Sequence, residues 1–225
     1  MAKTLSPVVK AYLLLYNIVL TLGWVYVGYL GFQKRNEHTK IWAHSEIPLK
    51  IFQTAAVMEV VHAILGFTPT SFVIVAFQVA SRLLVVWGCL DLAPPARVST
   101  GVPLLFVCWT VTEVIRYGYY ALNLVGLSNI IVWFRYSFFV FLYPLGITGE
   151  LWALLDSLDY VKKHNVWTIR MPNAWNATFN YHHMLILIML LYIPIFPKLY
   201  CHMFAQRRKV LGGARPVSPV KRHTD

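Results

Sequence analysis

Six stretches of this chain are long and apolar enough to cross a lipid bilayer, roughly residues 8–32, 48–67, 70–92, 101–125, 129–155 and 181–204. A helix needs about 20 residues to span a hydrocarbon core about 30 Å thick. Water is excluded there, so each peptide group must find its hydrogen bond within the protein, and helical segments do this internally. The expectation is an all-α integral membrane protein, a bundle of about six transmembrane helices. Composition agrees. Hydrophobic residues make up 58% and charged residues 13%, against about 25% charged in ordinary soluble domains, and the mean hydropathy is +0.57.

The second run is interrupted by Gln53, Glu59 and His62. It is joined to the third by "FTPTS", a Pro-containing turn suited to a helical hairpin. "DLAPPARVST" breaks helix through its proline pair, and the longest connector, "DSLDYVKKHNVWTIRMPNAWNATFN", is polar and aromatic enough to lie along the interface. No internal repeat is present. One six-span domain is expected over residues 1–206, followed by a basic, disordered, cytosolic tail over 207–225. The first run is too long for a signal-peptide core and is expected to stay as a span.

The formal charge of +11 does not point to nucleic acid. Arg207, Arg208, Lys209, Arg215, Lys221 and Arg222 crowd the C-terminal end, and most other basic residues lie between apolar runs. Such charges hold flanks and tails at an anionic lipid surface. With six crossings, nine Lys and Arg fall on the side of the termini and eight on the other, so charge bias alone does not orient the chain. The concentrated tail favours cytosolic termini. Cys89, Cys108 and Cys201 show neither metal-site spacing nor a disulfide framework.

Ionisable residues inside the spans are the informative exception: Glu59, His62, Arg82, Glu113, Arg116, Arg135 and Glu150. A strongly charged type costs roughly 2.5–3.5 kcal/mol on insertion scales, so such residues face a bundle interior or a wet cavity. Glu59–His62 and Glu113–Arg116 are each spaced i, i+3 and share a helix face. Each pair is either an internal neutralisation that pins helix packing or the lining of a cavity where arginine meets a phosphate or thioester oxygen. Arg82, Arg116 and Arg135 fall in three different runs, which suits a converging cluster.

Tyr143 and Glu150 lie in "FLYPLGITGELWALL", with Pro144, Gly146 and Gly149 between them. Seven residues rotate a helix through about 700°, so both side chains look into the same space. Gly146 leaves room on that face for another helix or for a substrate. One reading is a proline-kinked helix with a packing tyrosine and a buried, protonated glutamic acid. The other is chemical. A carboxyl group screened from water serves as acid or base near neutrality, and a neutral phenol can protonate a leaving oxygen or hold an oxyanion. Such a pair suits proton abstraction next to a carbonyl with loss of water from the neighbouring carbon.

"VHAILGFTP" has the outline of the tyrosine-phosphatase loop H-C-x-x-G-x-x-R, with His62 and Gly66 in place. Ala63 stands where the nucleophilic thiolate belongs, and Pro69 where the phosphate-binding arginine belongs. Without them there is neither a phosphocysteine intermediate nor a bidentate phosphate clamp.

"QTAAVMEVVHAILGFTPTS", "FQVASR", "TEVIRYGYYAL" and "WFRYSFFVFLYPLGITGE", in that order from Gln53 to Glu150, resemble the membrane 3-hydroxyacyl-CoA dehydratase family, once called protein tyrosine phosphatase-like proteins. The resemblance implies dehydration of a very-long-chain (3R)-3-hydroxyacyl-CoA to the trans-2-enoyl-CoA, the third step of fatty acid elongation in the endoplasmic reticulum, without cofactor or metal. The family's catalytic pair lies in Y-P-x-G-x-x-G-E, which here gives Tyr143 and Glu150. Glu150 is taken as base and Tyr143 as donor to the departing hydroxyl, with the reverse left open. The glycines would make room for the acyl thioester. Arg82, Glu113, Arg116, Tyr117, Arg135, Glu59 and His62 are the supporting residues. Expected partners are the acyl-CoA, membrane lipid, and the elongase condensing enzyme, ketoacyl-CoA reductase and enoyl-CoA reductase. A catalytically silent membrane scaffold is the alternative, and it predicts that Glu150→Gln is silent. A transporter would also explain intramembrane charge, but often shows repeated halves, which this chain lacks.

Overall fold

The computed structural model describes residues 5–212 apart from Pro69 and residues 173–175. Pro69 of the loop outline, Lys3, and the tail residues Arg215, Lys221 and Arg222 lie outside the described residues.

Among the described residues nine α-helices form: α1 (Pro7–Gln33), α2 (Ile41–Ala55), α3 (Val57–Ile64), α4 (Phe72–Leu83), α5 (Pro94–Arg97), α6 (Gly101–Leu124), α7 (Val132–Arg135), α8 (Phe139–His164) and α9 (Tyr181–Leu211). By length and composition, five helical segments among the described residues can cross a membrane: Pro7–Gln33, His38–Ile64, Phe72–Leu90, Phe139–His164 and Tyr181–Leu211. The sixth expected crossing, α6, has 24 residues and is long enough. It carries Glu113, Arg116 and several tyrosines within its apolar run, and α1 and α8 pack along it.

Local chemistry sets the helix ends. Ser6 caps α1 by accepting from the Val9 N–H at 3.3 Å, with Pro7 at the first helical position. The α3 helix closes with Gly66 at φ 71°, where the Phe67 N–H reaches the His62 carbonyl and the Gly66 N–H reaches that of Ala63. This double closure requires a left-handed residue, which glycine adopts without a Cβ penalty. Gly126 closes α6 in the same way at φ 80°.

Two spans are displaced from their sequence positions. The second begins at Ile41 rather than near residue 48, because Pro48 is carried inside α2 while Ile41, Trp42 and Leu49 bury into the core. A break at Ala56 then separates α2 from α3. The fifth is shifted further. Residues Ser128–Ile130 form a 3-10 turn and Val132–Arg135 a separate short helix, so Arg135 precedes the span and is not within it. The α8 helix runs on to His164 and takes up the first residues of the long connector. Hydropathy missed this end because Asp156, Asp159, Lys162 and Lys163 interrupt it, although Ala153, Ser157 and Val161 keep a buried face at helical spacing. The rest of the connector contributes one antiparallel bridge, Ile169 to Phe179.

After Arg82 and Leu83, residues Leu84–Leu90 widen into a π-helical segment whose last carbonyls, Leu90 and Asp91, are met by Arg97 from α5. The core lies among α1, α2, this segment, α6 and α8, with Trp24, Trp42, Tyr117, Leu105 and Leu154 fully buried. The α9 helix stands apart, with only Tyr181 and Leu185 buried. It also continues to Leu211, five residues into the stretch expected to be tail.

Candidate active site

Two polar clusters lie inside this bundle. The first joins α3, α4 and α6. Arg116 grips Glu59 in bidentate fashion, Nη1 to Oε2 at 2.5 Å and Nη2 to Oε1 at 2.8 Å. The same guanidinium donates to Glu113 Oε2 from Nε at 3.0 Å and Nη2 at 2.5 Å. Arg82 takes the other Glu113 oxygen, and the Tyr117 hydroxyl donates to Glu59. Two guanidiniums and two carboxylates thus form a chain with no net charge. Its centre, Glu113, is 1% exposed.

The Glu113–Arg116 pair forms as its spacing predicts. The expected Glu59–His62 pairing does not. Glu59 turns to the fork of Arg116, while a ring nitrogen of His62 meets the Tyr12 hydroxyl at 2.9 Å and the ring packs edge-on against Tyr16. A planar fork matched to both carboxylate oxygens outcompetes a single imidazole nitrogen. Nor does the structure bring all three arginines together. Arg135 donates to the Tyr120 hydroxyl at 3.2 Å and lies over the rings of Tyr119 and Tyr120. Tyr120 stands between it and Arg116, whose guanidinium lies 6.0 Å from the same ring.

The second cluster is built on α8. Glu150 receives one donor on each oxygen: Trp109 Nε1 from α6 at 2.7 Å on Oε1, and the Tyr192 hydroxyl from α9 at 2.8 Å on Oε2. Both donors are neutral, and no ion pair involves Glu150 among the described residues. Tyr143 is half-buried. Its ring stacks on Phe196 (5.3 Å between centroids, 18° between planes) and on Tyr200 (6.1 Å, 12°). Arg82 links the clusters, with its guanidinium 5.8 Å from the Trp109 ring centre.

The glycines between Tyr143 and Glu150 do not keep space for a thioester. A Cβ on Gly149 would fall 2.7 Å from the Leu105 N and 2.8 Å from the Gly101 carbonyl oxygen, and one on Gly146 would fall 3.3 Å from the Cys108 Cβ. The α6 backbone occupies that room. Small residues let the two helices close together, and this approach is what brings Trp109 within bonding distance of Glu150.

Sequence reasoning passed over Trp109 and Tyr192. Signals for both were present. Trp109 lies four residues before Glu113, on the same face of α6, and Tyr192, Phe196 and Tyr200 form an aromatic stripe at i, i+4, i+8. Among the described residues, no group of three His, Cys, Asp or Glu side chains is placed to hold a metal ion.

The arrangement sets an acid–base-capable carboxyl and a phenol on one helix face, screened by aromatic rings. Known proteins resemble the chain over most of its length. The sequence model of the family described as protein tyrosine phosphatase-like protein, PTPLA, matches residues 53–213. Very-long-chain (3R)-3-hydroxyacyl-CoA dehydratase 2 of Mus musculus is 42% identical over 211 residues, 92% of this chain and 83% of that protein. The dehydratase hpo-8 of Caenorhabditis elegans is 43% identical over 210 residues, 91% of this chain and 96% of its own length. The dehydratase PASTICCINO 2 of Arabidopsis thaliana is 34% identical over 219 residues, 96% and 99% of the two chains. No solved structure matches.

Proposed function

From the premise that this chain belongs to the protein tyrosine phosphatase-like family, we propose that it dehydrates very-long-chain (3R)-3-hydroxyacyl-CoA to the trans-2-enoyl-CoA, as a hydro-lyase of fatty acid elongation. The relatives that match over most of their length are named for this reaction. The structural observation that carries it is the company of Glu150: a carboxyl group between the helices of a membrane bundle, hydrogen-bonded by neutral donors only and sharing a helix face with Tyr143.

In this reading Glu150 takes the C2 proton, made acidic by the thioester carbonyl. The C2–H electrons form the C2=C3 bond while the C3–O bond breaks. Tyr143 gives its proton to the departing oxygen, which leaves as water. The proton held by Glu150 then returns to the Tyr143 oxygen, so the protein ends as it began and nothing is oxidised or reduced. Aromatic walls from α9 exclude bulk water and accommodate an acyl chain. Arg82, Glu113, Arg116, Glu59 and Tyr117 act at a distance, by fixing α3, α4 and α6 and so the position of Trp109. His62 and Arg135 support the α1 and α7 contacts.

The same proposal assigns the protein to the endoplasmic reticulum membrane with both termini cytosolic: six crossings return the chain to the side where it began, and the basic C-terminal end favours the cytosol for that side. It also predicts contact with the condensing enzyme, ketoacyl-CoA reductase and enoyl-CoA reductase of the cycle. Purification from mild detergent checks this, and recovery of none of the three would count against it.

The test of the reaction is direct. Detergent-purified protein is incubated with a long-chain (3R)-3-hydroxyacyl-CoA and the enoyl-CoA is followed by mass spectrometry. Turnover by the wild type, with losses of about 100-fold or more in Tyr143→Phe and Glu150→Gln, is expected for removal of one general acid–base contribution. Well-folded wild type that leaves substrates of several chain lengths unchanged would sink the reading and favour the scaffold.

A further inference from the structure

The α9 helix is the least buried of the long helices, yet one stripe of it turns inward: Tyr192, Phe196 and Tyr200, spaced one helical turn apart. Phe196 and Tyr200 stack against Tyr143, and the Tyr192 hydroxyl donates to Glu150 at 2.8 Å. Both members of the proposed pair are therefore held from the same helix. The phenol bonded to Glu150 is that of Tyr192, on a different helix from Tyr143.

Building on the dehydratase reading above, we infer that Tyr192 is a positioning residue, acting with Trp109 to aim the Glu150 carboxylate at the substrate. A carboxylate on a free side chain can swing about its last torsion, which is broad and roughly two-fold. Here each oxygen is fixed by a separate donor on a separate helix: the indole N–H of Trp109 on α6 at 2.7 Å and the Tyr192 hydroxyl on α9. Each oxygen keeps a lone pair beyond the one its donor occupies. The plane of the group is thereby set, and the free lone pair on either oxygen can receive the C2 proton. Holding a reacting group in its attacking geometry is a large part of catalysis, and small misplacements are costly. Neither donor carries charge, and the Arg82 guanidinium bonds Glu113 and not Glu150. Trp109 is in turn held by the Arg82 guanidinium over its ring.

Tyr192→Phe and Trp109→Phe test this, since each keeps a ring and removes the donor. Each is expected to lower kcat by about 10- to 100-fold, the scale of one hydrogen bond to a charged group, with KM within about twofold of wild type by the same logic, because the donors reach Glu150 and not the substrate. Folding is followed by the thermal midpoint in detergent. The distinguishing measurement is the cycle with Glu150→Gln. A group that acts through Glu150 adds no further loss once that carboxylate is gone, whereas a structural loosening subtracts from both backgrounds. Wild-type turnover in Tyr192→Phe, or a loss repeated in full in the Glu150→Gln background, overturns the assignment and leaves the dehydratase reading standing. Absence of turnover in the wild type overturns that reading and this one together.

Discussion

Three carboxylates lie between the helices of the bundle, and they keep opposite company. Glu59 and Glu113 are paired with guanidiniums, in a chain of two acids and two bases that sums to zero. Glu150 lies one cation–π contact away, beyond Arg82 and Trp109, and meets only an indole and a phenol. Four bare charges of the first kind would cost about 10 kcal/mol or more to insert at about 2.5–3.5 kcal/mol each, so mutual neutralisation is the condition for that region to exist in a membrane. Glu150 is held in no ion pair of this kind. An acid bonded only by neutral donors is poor structural material and good acid–base material, and the contrast separates scaffold from chemistry more sharply than residue type does.

The largest expected effect lies on the scaffold side. Glu113→Gln removes the centre of the chain and leaves Arg82 without its carboxylate, and breaking a buried pair from one side costs about 3–5 kcal/mol. Unfolding in detergent should show a loss of that size, with poor recovery from the membrane. Glu150→Gln should show the reverse pattern: stability within about 1 kcal/mol of wild type, because no ion pair is broken, and turnover lower by about 100-fold, equivalent to about 2.7 kcal/mol in the barrier. If the two variants lose stability equally, the distinction drawn here between the clusters fails.

Next in size is the close contact between α6 and α8. Gly149→Ala drives a methyl into the α6 backbone at 2.7–2.8 Å, and backbone cannot swing aside as a side chain can. Overpacking of this kind costs about 1–3 kcal/mol. It should separate α6 from α8 and so lower turnover by weakening the Trp109–Glu150 bond. Gly146→Ala meets only the Cys108 Cβ at 3.3 Å and should cost well under the lower of those figures. Thermal midpoints and turnover of the two variants, measured side by side, test whether close helix approach is what the glycines are for. Equal tolerance of both would restore the idea that they leave room for substrate.

Much of this architecture could be read from the chain, for reasons that also mark where reading stopped. Apolar runs located the spans because lipid tolerates few departures from that pattern. The i, i+3 spacing gave the Glu113–Arg116 pair, and seven residues put Tyr143 and Glu150 on one face, because helix geometry is local. Partners from other helices were not legible. Periodicity says which way Glu59 faces, and not that Arg116, 57 positions later, waits there, or that Tyr192 comes to Glu150 from α9. The fifth span was misplaced by the same limit, since the polar end of α8 is helical through burial of Ala153, Ser157 and Val161 and not through hydropathy. The glycine spacing was visible while its occupant was not, since a gap in sequence looks the same whether a helix or a ligand fills it.

The smallest expected effect tests whether proximity to charge is enough to matter. Lys50 on α2 bonds Glu46 at 2.5 Å and Asp91 beyond the third span, and its ammonium lies 4.9 Å from the Trp87 ring centre. On paper it resembles the inner chain: a cation shared by two carboxylates. Its site is wetter, with Glu46 and Asp91 each about a third exposed, where water and ions screen the attraction and a pair contributes about 0–1 kcal/mol. Lys50→Met keeps most of the stem that covers Trp42 and Trp87 and removes the charge. Stability should fall by about 1 kcal/mol at most, less so in high salt, and turnover should stay within about twofold, a fraction of one tenfold step in the barrier. A loss on the scale of Glu113→Gln would mean that the inner chain is not special for being dry, and that charge pairing anywhere in this bundle holds the helices together.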